Sequence, residues 1–214
     1  MRPYKTYVIG RELYTYGDGY AHKTTLDTAD FVSSVSTLNH TYLLGKHGEV
    51  MCGSIDKDGR VSMDDKSREV FDGPFCMMSA MTNKAYLLGM SGGIFEVSGK
   101  SKIRQVGNGQ YVKIDCGSKF LVAFDHAGNA YKLGSWFDGT HIEQMSLFHK
   151  GVVDIACGNF HCILLQENGE AVCYGEKEYL FDPVPNVVKI YAYGKSTLLS
   201  GHNFSKYFGG KHGK

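Results

Sequence analysis

Clustered acids, histidines and cysteines are where this 214-residue sequence could hold chemistry. Asp56, Asp58, Asp64 and Asp65 fall in IDKDGRVSMDD, around Gly59. The run hints at a calcium loop, but such a loop needs an oxygen ligand at its fifth position, Gly at the sixth and Glu at the twelfth. Counted from Asp56, those places hold Arg60, Val61 and Ser67. The run therefore reads as a solvated turn whose acids, Asp56 and Asp58, face a partner. The histidines show no HxH or HxxxH spacing and the six cysteines no CxxC pair, so no metal site is expected. No phosphate-loop spacing of the form Gly-x-x-x-x-Gly-Lys-Ser/Thr occurs, and Gly-x-Gly in VGNGQY stands before a strand, where a turn accounts for it. The expectation is no catalytic residue and no cofactor.

Charge and composition narrow the class further. The formal net charge is +1, with 43% hydrophobic and 21% charged residues. That suits an ordered globular chain and argues against a nucleic-acid binder. No apolar run reaches the roughly 20 residues that span a bilayer, and the N-terminus has no apolar leader core. The cysteines read as small buried hydrophobes in a reducing, cytoplasmic or nuclear compartment.

The elements around these residues repeat. IDCGSKFLVAFDHAGNAYKLG (114–134) and IACGNFHCILLQENGEAVCYG (155–175) align at a 41-residue offset: Cys116 with Cys157, Gly117 with Gly158, Gly134 with Gly175. Such a period marks a solenoid, propeller or array. Each copy reads as a strand ending in Gly, a buried second strand, a Gly hairpin turn and a third strand closed by Gly. FVSSVSTLNHTYLLGKHGEVMCG (31–53) and FCMMSAMTNKAYLLGMSGGIFEVSG (75–99) follow the same grammar, and His40 and His161 precede their turn glycines by the same spacing. Four full units end near Gly53, Gly99, Gly134 and Gly175. YVIGRELYTYG, closing at Gly17, reads as a back half, and VVKIYAYGKSTLLSG (187–201) as a front half. Together they predict an all-β, small propeller of about five blades over residues 1–202, closed by pairing of its N- and C-terminal strands. Residues 203–214, lacking acids, read as a flexible basic tail. HIEQMSLFH (141–149) is the nearest approach to a helix, at most one turn.

The template resembles the repeat of the regulator of chromosome condensation family: a strand ending in Cys-Gly, a nearby His, an apolar strand, a Gly turn and an aromatic-Gly close. VVDIACGNFHCILLQENGEAVCYG is the nearest copy, and YVKIDCGSKFLVAFDHAGNAYKLG carries Phe120 where the other has His. The chain departs from the family in lacking a Gly-Gln-Leu-Gly-like segment after each closing Gly. The resemblance implies a rigid disc that binds other proteins through inter-blade loops, with regulation of a small GTPase as the alternative. The loops expected to carry contacts are 18–27, 56–68, 135–143 and 176–185, with Trp136, Phe137, Tyr179 and Phe181 as anchors. Gly17, Gly53, Gly117, Gly134, Gly158, Gly175, His40 and His161 are read as structural.

Overall fold

The computed structural model describes residues 5–17, 20–26, 30–63, 69–71, 73–98 and 102–209. Asp64, Asp65, Gly99, Lys211, His212 and Lys214, all part of the sequence reading, lie outside them. Described residues form six small antiparallel sheets and one 3₁₀ turn at Lys177–Tyr179. The chain divides into two compact units, residues 1–109 and 110–214.

Unit one holds three sheets. Sheet I is β1 (Lys5–Ile9), β2 (Glu12–Gly17) and β3 (Tyr20–Thr25). Sheet II is β4 (Phe31–Ser36), β5 (His40–Gly45), β6 (Val50–Ile55) and β7 (Val61–Ser62), with β8 (Glu69–Phe71) also on β6. Sheet III is β9 (Phe75–Ala80), β10 (Ala85–Gly89), β11 (Ile94–Ser98) and β12 (Lys102–Gly107). Leu13 and Val8 of sheet I pack on Phe31, Leu43 and Met51 of sheet II. The opposite face of sheet II, Tyr42, Leu44, Val50 and Cys52, packs on Phe75, Met78 and Leu87 of sheet III.

Unit two repeats the plan. Sheet IV is β13 (Tyr111–Cys116), β14 (Phe120–Asp125), β15 (Ala130–Ser135) and β16 (His141–His149). Sheet V is β17 (Val152–Cys157), β18 (His161–Gln166) and β19 (Ala171–Gly175); sheet VI is β20 (Val187–Tyr193), β21 (Ser196–Gly201) and β22 (Ser205–Gly209). Phe120 and Val122 of sheet IV meet Ile155 and Leu164 of sheet V. Ile163 and Leu165, on the other face of sheet V, meet Ile190 and Leu199 of sheet VI. Both faces of sheets II and V are thus covered, which is why their central strands β5 and β18 are continuous apolar runs.

Local chemistry explains the repeat. The turn after the second strand places Gly128 at φ 73° and Gly169 at φ 78°, a region that other residues enter at a cost. The amide of the next sheet's first residue then bonds that glycine's carbonyl: Val152 to Gly128 and Val187 to Gly169, both 2.9 Å. The turn therefore sets the next sheet in place.

The sequence reading is corrected at three points. The two half-units do not form one shared blade: β1 pairs with β2, and β22 pairs with β21, so each end has its own three-stranded sheet. Six sheets replace the expected five blades. Residues 205–209 of the expected tail form β22, because Phe208 reaches the core and stacks on Phe181, 4.2 Å between centroids. Residues 141–149 form β16, an edge strand whose register shifts against β15 blur its alternation.

Candidate functional site

The corner between first and second strands is built alike in both units. Gly117 donates to the carbonyl of Phe120 at 2.9 Å, Gly158 to that of His161 at 2.8 Å, and Thr37 to that of His40 at 2.9 Å. At the first two corners the ring folds back over the glycine, so a Cβ there would overlap the ring of Phe120 or His161. His161 is buried, its Nε2 lies 2.8 Å from Thr197 Oγ1, and its ring stacks on Tyr179 at 5.5 Å. Nδ1 has no partner. Burial lowers the imidazole pKa to about 4, so the ring is neutral at pH 7. In this geometry the ring is packed into the corner.

The loops after the third strands differ from one another. In sheet IV the loop is a tight hairpin: Trp136 N–H bonds Thr140 O at 2.8 Å, and Asp138 Oδ1 accepts the Thr140 hydroxyl at 2.6 Å and its amide at 2.9 Å. The Thr140 hydroxyl bond holds the Asp138 carboxyl below its usual range. Trp136 and Phe137 are half-buried in an aromatic cluster with Phe120, Phe148 and Tyr174, and Lys132 Nζ sits 4.6 Å over the Trp136 ring. In sheet V the loop runs through Lys177–Tyr179. Tyr179 is 7% exposed, its ring stacked on His161, and Phe181 is half-buried against Phe208. Leu180 between them is 50% exposed. In sheet II, Asp56 Oδ1 accepts the amides of Asp58 and Arg60, each at 2.9 Å, and the Arg60 bond holds its carboxyl low. Asp56 is thus a turn-former in this geometry.

The first strands of unit two carry the charged groups. Lys113, Asp154 and Lys189 hold the same register position, just past the bulge that opens β13, β17 and β20. Lys113 Nζ meets Asp154 Oδ1 at 2.5 Å. Asp115 accepts the amide of Cys116 with one oxygen and that of Cys157, in the next sheet, with the other, both at 2.8 Å. These groups line a cavity of about 350 Å³ with Lys189, Ile190 and Tyr191. The carboxylates clasp sheets IV and V together rather than pointing at a common reacting centre.

Two features of this geometry coincide in one stretch: the Gly158–His161 corner and the closing Tyr174-Gly175. The regulator of chromosome condensation (RCC1) repeat pattern matches residues 152–179, which contain both. Residues 152–179 are thus similar to one RCC1 repeat. No curated protein matches the chain in sequence. Its fold is similar to those of several solved propeller proteins. It resembles Prp20p of Saccharomyces cerevisiae, in a structure reported with its binding to Gsp1p and histones, at 12% identity and TM-score 0.66, covering 95% of this chain and 71% of that one. It resembles human WBSCR16 at 13% identity and TM-score 0.67, covering 90% and 68%. It also resembles the CRINKLY WD40 ectodomain of the Arabidopsis thaliana receptor kinase ACR4 at 13% identity and TM-score 0.64, covering 94% and 73%.

Several groups escaped the sequence reading. Gly89-Met90-Ser91-Gly92-Gly93 has the Gly-x-Ser-x-Gly spacing of a hydrolase nucleophile, but it spans the hairpin from β10 to β11. A nucleophile elbow is a strand-to-helix turn. Leu180 was passed over beside its aromatic neighbours. The Lys113–Asp154 pair was legible in principle, since opposite charges stand one repeat apart. No helix among the described residues is long and apolar enough to cross a membrane.

Proposed function

We propose that this chain is a non-catalytic interaction module, a scaffold subunit that binds other proteins through the loops following its third strands. The observation that carries the reading is the 176–186 loop. Its two aromatic neighbours are fixed, Tyr179 on His161 and Phe181 on Phe208, while Leu180 is held outward between them. A rigid loop presenting an apolar side chain loses little ordering entropy on docking. Trp136 and Phe137 occupy the corresponding loop of sheet IV and add aromatic area of the kind that interfaces favour. Asp56 and Asp58 supply a polar rim in unit one. Clasped carboxylates and a neutral, buried His161 support a binding role over catalysis.

The test is capture of partners by the tagged chain and by its Leu180→Asp variant, with identification by mass spectrometry. The reading requires a reproducible partner set that the variant loses while staying folded; a set unchanged by Leu180→Asp removes the loop from the interface.

Regulation of a small GTPase is the second reading, supported by the likeness to Prp20p and its reported binding to Gsp1p. Release of labelled GDP from a panel of GTPases decides it: acceleration favours exchange, and unchanged rates throughout leave the scaffold reading alone.

A further inference from the structure

The first strands of unit two each carry one charged residue at the same register position: Lys113 in β13, Asp154 in β17 and Lys189 in β20. One carboxylate thus stands in the row between two ammonium groups, and it serves only one of them. Asp154 Oδ1 takes Lys113 Nζ at 2.5 Å and the Ile155 amide at 2.8 Å. Its other oxygen, Oδ2, accepts no hydrogen bond from the described residues. Lys189 is exposed and forms no ion pair among the described residues. Asp115 does not supply one, because its two oxygens hold the amides of Cys116 and Cys157. One acceptor and one cation are therefore left over.

Both leftover groups line the 350 Å³ cavity, and every residue that lines it belongs to unit two. Ile155, Ile190 and Tyr191 form apolar parts of its wall. Mostly apolar walls with a few polar groups that fix orientation are the usual form of a small-molecule site. The lining holds two lysines and two aspartates, so its formal charge is zero. A simple anion would gain Lys189 but meet the two carboxylates, and a simple cation would gain Asp154 but meet the two lysines. A ligand with one charge of each sign matches both leftover groups.

We propose that this cavity binds a small zwitterion of the α-amino-acid class, with its carboxylate on Lys189 Nζ, its ammonium on Asp154 Oδ2 and its side chain against Ile155, Ile190 and Tyr191. Two charge-assisted hydrogen bonds orient the ligand, and Lys113 holds the Asp154 carboxylate in place. The site is built from first strands, not from the loops after the third strands, so its occupancy is independent of the scaffold role.

The experiment is titration of the isotope-labelled full chain with L-leucine, followed through the backbone amide resonances of Ile155, Ala156, Ile190 and Ala192. The expected result is saturable shifts centred on those amides. Lys189→Gln removes a charge that holds no other side chain and should weaken binding about tenfold or more, the loss of one charge-assisted bond. Asp154→Asn should do the same, whereas Lys113→Gln breaks the same clasp, spares the carboxylate and should still bind leucine. Isocaproate, which is leucine without its ammonium, and isoamylamine, which lacks its carboxylate, should each bind about tenfold more weakly or worse. Circular dichroism melts check that the variants fold, and Lys189→Gln carries the test if Asp154→Asn does not. Leucine that gives no saturable shift at these amides overturns the proposal, as does unchanged affinity in Lys189→Gln. Isocaproate binding as tightly as leucine also overturns it, since Asp154 would then have no part in the site.

Discussion

Gly158 lies directly beneath the imidazole of His161, in space that a methyl group at 158 would have to share with the ring. The same arrangement joins Gly117 to Phe120. The Gly-x-x-His or Gly-x-x-Phe spacing is thus one steric unit, in which the glycine makes room for the ring three residues on.

Gly158→Ala is accordingly expected to destabilise the chain by about 1–3 kcal/mol through overpacking. Gly89→Ala, whose added carbon meets its nearest neighbour at an ordinary 3.4 Å, is the control and should cost less than about 1 kcal/mol. Urea denaturation of both, with unchanged m-values, checks the comparison.

Stability should depend on pH through His161. Its folded pKa, about 4, lies below the ordinary histidine value of 6.5, so the unfolded chain binds the proton more tightly. The contribution is complete above about pH 6.5 and is lost as the pH falls towards 4. His161→Phe, the residue that Phe120 already shows to be accommodated at such a corner, should fold and flatten this part of the profile. Melting temperatures measured across that window decide the point; an unchanged slope in the variant assigns the acid sensitivity to other groups.

Thr197 gives His161 its hydrogen bond. Thr197→Val removes it and leaves a buried imidazole with no polar partner, an expected loss of about 1–3 kcal/mol. In the His161→Phe background the same change should cost much less, and a double-mutant cycle measures the difference.

Trp136 should couple stability to binding, and Leu180 should act on binding alone. Trp136→Ala opens the aromatic cluster of sheet IV and is expected to lose about 2–4 kcal/mol. Leu180→Asp, at a half-exposed loop position, should change the melting temperature little and act on partner capture alone. Parallel melts and pull-downs of the two variants show whether the roles divide in this way.

How far the sequence disclosed this architecture depended on which residues kept the repeat grammar. Sheets II to V were readable because Gly48, Gly92, Gly128 and Gly169 all occupy the left-handed region that their turns need. The terminal sheets were harder. In β22 the lysine and glycine of SKYFG hide an inward Phe208, and in β3 the polar run YAHKTT is held by pairing with β2. The candidate site was less legible than the fold. Tyr179, Leu180 and Phe181 are three similar apolar side chains in a row, and only the stacking partners of the outer two, His161 and Phe208, make the middle one the exposed residue.

The row Lys113, Asp154, Lys189 runs plus, minus, plus along one register line of unit two. A chain assembled from near-identical repeats could in principle fold with one of them skipped or exchanged for its neighbour. Here, leaving out sheet V would bring Lys113 against Lys189, and a second copy of sheet V would set Asp154 against its own duplicate. The alternation gives each repeat an address, so that the sign of one side chain helps to specify the order in which otherwise similar sheets stack.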